Sequence, residues 1–83
     1  MTPYSVFIQS EVVNQVIQMP RSRRSKLLQF FEQLASNPVL KGEFREKDIH
    51  GREAEVKLSG TFLVTHYADH AVCELPILNL EEL

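Results

Sequence analysis

Little in this chain could cross-link the fold or hold a metal. There is one cysteine, Cys73, so no intramolecular disulfide can form, and the three histidines do not combine with it into a zinc-ligand spacing. With three glycines there is no glycine-rich phosphate loop, and no cofactor is expected. No apolar run approaches the length of a membrane span, and no basic segment followed by a long apolar run opens the chain. The expectation is a soluble, cytoplasmic protein without a membrane partner. Excess positive charge is also missing: 9 basic against 11 acidic residues give a net charge of −2, which argues against strong non-specific nucleic-acid binding.

What is present suits one small domain over residues 1–83. Hydrophobic residues make up 43% of the chain, enough for one core, and the charged fraction of 24% argues against disorder. Charge is unevenly placed. Arg21, Arg23, Arg24 and Lys26 fall close together, while all the acids except Glu11 lie from Glu32 onward. The cluster is a candidate partner-binding basic patch on an acidic protein, with a solvated helix start as the simpler reading. Cys73, between Val72 and Leu75, reads as a small buried hydrophobe.

The residue patterns predict the elements in turn. Tyr4 to Gln9 is a short β-type run. Ser10 is a candidate N-cap, with Val12, Val13, Val16 and Ile17 at helical spacing up to Pro20. A second helix runs from about Ser22 to Ala35, with Leu27, Leu28, Phe30, Phe31 and Leu34 as its apolar stripe, and Asn37-Pro38 stops it. Its arginine-rich start opposes the helix dipole, which favours a partner-facing role for the cluster. Gly42 to Asp48 reads as a charged edge strand and His50-Gly51 as a turn. Arg52 to Leu58 and Thr61 to Ala68 form a hairpin around Ser59-Gly60. Ala71 to Leu80 is the last strand, with Pro76 expected at a bulge or an unpaired edge position. The order β-α-α-β-β-β-β indicates an α+β fold: a mostly antiparallel sheet with two N-terminal helices on one face.

A two-residue turn at Ser59-Gly60 pairs Leu58 with Thr61, Glu53 with His66 and Arg52 with Tyr67. Opposed residues share a face. Ala54, Val56, Leu58 and Leu63 then form the core face. Glu53, Glu55, Lys57, Phe62, Val64 and His66 form the open face. His66 beside two carboxylates is a candidate general base, with a solvated cross-strand polar pair as the simpler reading. A metal held by Glu53, Glu55 and His66 lacks a completing ligand, so none is expected. Phe62 and Val64, apolar on an open sheet, suggest a surface that a partner covers.

The element order resembles the RelE/ParE toxin superfamily of bacterial toxin–antitoxin modules over nearly the whole chain. The residues that carry the resemblance are the helix end Leu34-Ala35-Ser36-Asn37-Pro38, the Ser59-Gly60 hairpin and the run from Gly60 to Asp69. The resemblance implies a small antiparallel sheet backed by two helices and a protein antitoxin that wraps around the toxin. It also implies growth inhibition, by mRNA cleavage on the ribosome in RelE-like members or by inhibition of gyrase in ParE-like members. The ribonucleases hold RNA on a basic sheet face. Aligned through Ser59-Gly60, their basic positions fall on Glu53, Glu55, Phe62 and close to Glu82, and carboxylates repel phosphates. Whether the chain is an enzyme is therefore open.

Three functions remain. The first is a toxin that acts by protein binding through Arg21, Arg23, Arg24, Lys26, Phe62 and Val64, with Lys41, Arg45 and Arg52 as further basic contributors. The second is a ribosome-dependent endoribonuclease using Arg45, Arg52, Lys57 and His66. The third is a non-toxic descendant that retains antitoxin binding. A homodimer or heterocomplex is compatible with each.

Overall fold

A computed structural model describes residues 4–38, 42, 44–47 and 51–83. Lys41 and His50 lie outside them. The elements are β1 (Ser5–Ile8), α1 (Ser10–Ile17), α2 (Arg21–Ser36), β2 (Phe44–Lys47), β3 (Glu53–Ser59), β4 (Phe62–His66) and β5 (Glu74–Glu82). They form one five-stranded sheet in the order β1-β5-β4-β3-β2. β1 runs parallel to β5, and all other pairings are antiparallel. The expected α+β architecture is therefore present, and β2 is an edge strand as its charge implied.

The helices lie over one side of the sheet, α1 on β5 and α2 on β1 and β5. Helical spacing turns Val12 and Val16 of α1 and Leu27, Phe31, Leu34 and Ala35 of α2 inward. The apolar stripes are narrower than expected, since Val13, Ile17 and Leu28 are exposed. Gln9, not Ser10, precedes the first helical residue, and its side chain makes no capping hydrogen bond. The sheet side of this core is Phe62, Val64, Leu75, Ile77 and Leu80, with Val6 and Ile8 packed beside it.

That list reverses the face assignment made from the hairpin. The strands close on Ser59↔Phe62 and Leu58↔Leu63, so the loop is Gly60-Thr61, with Gly60 at φ 60°. Pairing is displaced by two residues from the sequence-based register. An even displacement keeps side chains on their original sides, so the same residues share a face. It is the other face, however, that meets the helices. Phe62 and Val64 are 8% and 0% exposed and lie in the main core, so they are not an open partner-binding surface. Leu58 is 44% exposed and Leu63 is half-buried on the side away from the helices. Ala54 and Val56 are buried as expected, but on that opposite side and outside the main cluster.

Two further expectations are corrected. Cys73 is exposed, because it sits in the turn before β5 with φ 54° and not within a strand. Pro76 lies inside β5, a strand flanked on both sides, opposite Phe7 of β1. It is tolerated because β4 has already ended at His66. There the Tyr67 amide donates to the Pro76 carbonyl at 3.3 Å, and the irregularity in the β4–β5 ladder falls between Thr65 and His66.

Gly42 has a specific reason to lack a side chain. A Cβ there would stand 2.3 Å from the Val56 carbonyl oxygen, a backbone atom that cannot swing aside. Gly42→Ala is expected to cost about 1–3 kcal/mol in urea unfolding by displacing the chain that leads into β2. An unchanged midpoint would show that this close approach is not needed.

Candidate functional site

The pairing of β3 with β4 ends at Glu55↔His66. Beyond that point the start of β3 and the segment after β4 separate, and a cleft of about 600 Å3 opens between them, lined by Arg45, Arg52, Glu53, Glu55, Tyr67, Asp69 and His70 among others. Its position follows from the chain. His66 is the last residue of β4, and Asp69 then bridges Glu74 to start the return strand, so the residues between them no longer follow β3.

Arg45 reaches the cleft from the edge strand. Its guanidinium stands 3.3 Å from the Glu55 carboxylate and 3.7 Å from that of Glu53. The 3.3 Å contact is an ion pair without hydrogen-bond geometry, since the same Glu55 oxygen has no hydrogen-bond partner. Arg52 lies over the Tyr67 ring, 4.5 Å from its centroid, and donates to the Tyr67 hydroxyl. The two residues are cross-strand neighbours in the sequence-based register, and they meet although the ladder has ended. Asp69 accepts a hydrogen bond from the Ala71 amide, and His70 Nδ1 lies 2.8 Å from the Tyr4 hydroxyl. Two arginines thus face three carboxylates, Glu53, Glu55 and Asp69. Such a lining neutralises its own cations and does not concentrate phosphate.

Of the four catalytic candidates, the structure brings Arg45 and Arg52 to the cleft and leaves Lys57 and His66 out of it. Lys57 is half-buried on the helix-side face of β3 and already engaged in an interaction. His66 is 3% exposed, and neither ring nitrogen has a hydrogen-bond partner among the described residues. Burial pushes its pKa down. The Glu55 carboxylate opposes that shift and Lys57 adds to it. A base buried to this extent cannot reach a substrate proton.

The basic cluster is at the start of α2, as the sequence indicated. Arg21, Arg23 and Lys26 are exposed and Arg24 is half-buried. Arg23 is 3.0 Å from Glu82, with both side chains about half exposed, an ion pair worth at most about 1 kcal/mol. Arg23 and Lys26 line a groove with Leu27 and the Gly60-Thr61 loop.

The corrected faces also move the family comparison onto other residues. Phe62 is buried on the helix side, so it cannot occupy an open basic face, while Glu53 and Glu55 share that side of β3 and line the cleft. The side chains that do share the open side are Ala54, Val56 and Leu58 on β3 and Leu63 and Thr65 on β4, with Arg52 and Tyr67 just beyond the strand ends in a groove with Phe7 and Pro76. Arg52 is the one cation among them. Phe7, Phe44 and Leu58 are exposed on that side, interspersed with exposed Glu46, Asn79 and Glu81. The alternation in β1 already set Phe7 on the face opposite Tyr4, Val6 and Ile8, where it lies, whereas Phe44 was not singled out from the sequence.

Among the described residues no group of three or more His, Cys, Asp or Glu side chains could hold a metal ion, and no helix is long and apolar enough to cross a membrane. No family model and no curated protein matches the sequence. Solved structures do match. A chain of the toxin–antitoxin complex RelBE2 from Mycobacterium tuberculosis is 18% identical, with TM-score 0.76, covering 99% of this chain and 100% of its own. One from the archaeal RelE–RelB complex of Pyrococcus horikoshii is 19% identical, with TM-score 0.77, covering 98% and 96%. A double mutant of the E. coli toxin RelE in the free state is 8% identical, with TM-score 0.68, covering 98% and 84%. The fold of this chain is that of the RelE toxins.

Proposed function

We propose that this chain is the toxin component of a toxin–antitoxin pair, that a cognate antitoxin neutralises it, and that it acts in the cytoplasm by binding a cellular target and not by cutting RNA. The RelE fold over the full chain supports the first part, since the similar chains come from toxin–antitoxin complexes. The open sheet side supports the last part. Among the described residues it offers one arginine, Arg52, which stacks on Tyr67, where holding the RNA backbone needs several cations. The basic cluster on α2, where Arg21, Arg24 and Lys26 make no ion pair with an acid among the described residues, is the complementary surface for an acidic partner. Ribosome, mRNA and gyrase are the targets to be distinguished.

Induced expression of the chain alone is expected to arrest bacterial growth, with arrest relieved by co-expression of the antitoxin gene beside it. mRNA ends mapped during arrest are expected to be unchanged. Ribosome-dependent cuts within codons would replace this reading with the endoribonuclease. Normal growth together with a stable antitoxin complex would replace it with the non-toxic descendant.

A further inference from the structure

The two outer edges of the sheet are built differently. β2 carries Arg45, Glu46 and Lys47. Pairing two copies of β2 about a two-fold axis normal to the sheet sets a residue against one on the same face. The central registers then oppose Arg45 to Arg45 or Glu46 to Glu46, and like charges directly opposite destabilise a strand pair. β1 has no such guard. Its residues are Ser5, Val6, Phe7 and Ile8, without a charge.

β1 also has polar groups to offer. The Ser5 and Gln9 amides donate to β5, onto the carbonyls of Cys73 at 3.0 Å and Ile77 at 3.4 Å. Backbone groups alternate in direction along a strand, so those of Val6 and Ile8 point outward. They have no backbone partner among the described residues. The Tyr4 amide, next in the outward set, is taken by the Ala35 carbonyl at 2.9 Å, so the end of α2 closes that part of the edge.

We propose that this edge is a self-association surface, on which β1 of a second copy of the chain pairs antiparallel with Val6 opposite Ile8 and Phe7 opposite Phe7. This register satisfies the outward amides and carbonyls of both residues in both copies. It sets the two Phe7 side chains, each 53% exposed on the open side, against one another at a position without hydrogen bonds, where Cα atoms approach to about 4.5 Å. On the helix side it forms two Val6–Ile8 pairs beside a groove lined by Leu28, Phe31 and Ala35, with Leu28 39% exposed and the exposed Glu32 at its rim. The register also avoids the blocked end, because beyond Gln9 each chain leaves the sheet to enter α1.

The test uses the whole chain with Cys73→Ser to remove the exposed native thiol. Phe7→Cys in that background is expected to form a disulfide-linked dimer under mild oxidation about tenfold faster than Phe44→Cys, which places an equally exposed cysteine on the other edge strand. In sedimentation, Phe7→Lys is expected to weaken self-association about tenfold or more with an unchanged circular dichroism spectrum. Equal cross-linking rates at the two positions would overturn the proposal. So would a native chain that sediments as a monomer at roughly 100 μM. A Phe7→Lys variant that self-associates normally but no longer binds the antitoxin would also overturn it, assigning the edge to a different occupant.

Discussion

Val64→Lys is expected to leave the chain unfolded at room temperature, while Leu63→Lys, one residue away, is expected to fold with a loss of about 1 kcal/mol or less. Val64 has no accessible surface and lies in the cluster formed with Phe31, Leu34 and Ile77 beneath the helices. An ammonium there would be buried beside Leu80 and across from Lys57, its ladder neighbours, with no anion in register. An unpaired buried charge costs several kcal/mol, about 4–5 or more, which is comparable to the whole stability of a domain this size. Leu63 is half-buried on the opposite side, between Leu58 and Glu81 in the ladder. A lysine there loses some apolar contact but keeps its head in water beside a carboxylate. Circular dichroism and urea titration of the two variants decide the face assignment. If Leu63→Lys unfolded and Val64→Lys did not, the helices would have to lie on the other side of the sheet.

The hairpin shows how far the residues could be read and where reading stopped. Alternation of Ala54, Val56 and Leu58 with Glu53, Glu55 and Lys57 defined β3 and its two sides, and both survive in the structure. A shift of two residues in pairing leaves those sides intact, so an error in the turn did no harm. The choice of inner side had no such protection. The run through β4 is apolar on both sides, with Phe62 and Val64 on one and Leu63, and Tyr67 just past the strand end, on the other, so β3 cast the deciding vote. β3 was a poor judge, because the helices rest on β1 and β5 and reach only as far as β4. Its apolar row packs on the far side. Helix placement is a property of the loops and of β1, and a single strand does not encode it. The same limit explains Cys73, whose apolar neighbours in sequence say nothing of a turn with positive φ.

The candidate site was legible in part for the same reason. Arg45 and Arg52 were identified by charge alone, and they meet in the cleft because each ends near the point where the β3–β4 ladder opens. Lys57 and His66 were grouped with them on a surface assumed to be open. Once that surface is under the helices, a catalytic histidine becomes a buried one. The absence of a basic face survived the correction because neither side of the hairpin is rich in cations. That robustness is why the proposed function turns on protein binding. It rests on what both sides lack, not on which side was chosen.

His66 gives the second large effect, a loss of stability on mild acidification. Its ring is almost fully buried with neither nitrogen hydrogen-bonded among the described residues, so the fold holds it in the neutral form. The causes act in opposition: burial lowers the pKa, Glu55 directly opposite on β3 raises it, Lys57 lowers it, and burial dominates. In the unfolded chain the ring titrates near its ordinary value of about 6.5. Between that value and the lower folded one, the unfolded state binds more protons than the native state, so stability falls as pH falls through this window and is fully present above it. Urea midpoints measured from pH 8 downward should therefore be flat to about 7 and decline through about 6. His66→Leu should remove that decline. It should also raise stability at pH 7.5 by about 1 kcal/mol, because an apolar side chain of similar size relieves the cost of two buried nitrogens without partners. A decline that persists unchanged in the leucine variant would assign the acid sensitivity to groups other than His66. A variant less stable than the native chain at neutral pH would mean that the ring contributes more through its packing than its unpartnered nitrogens cost.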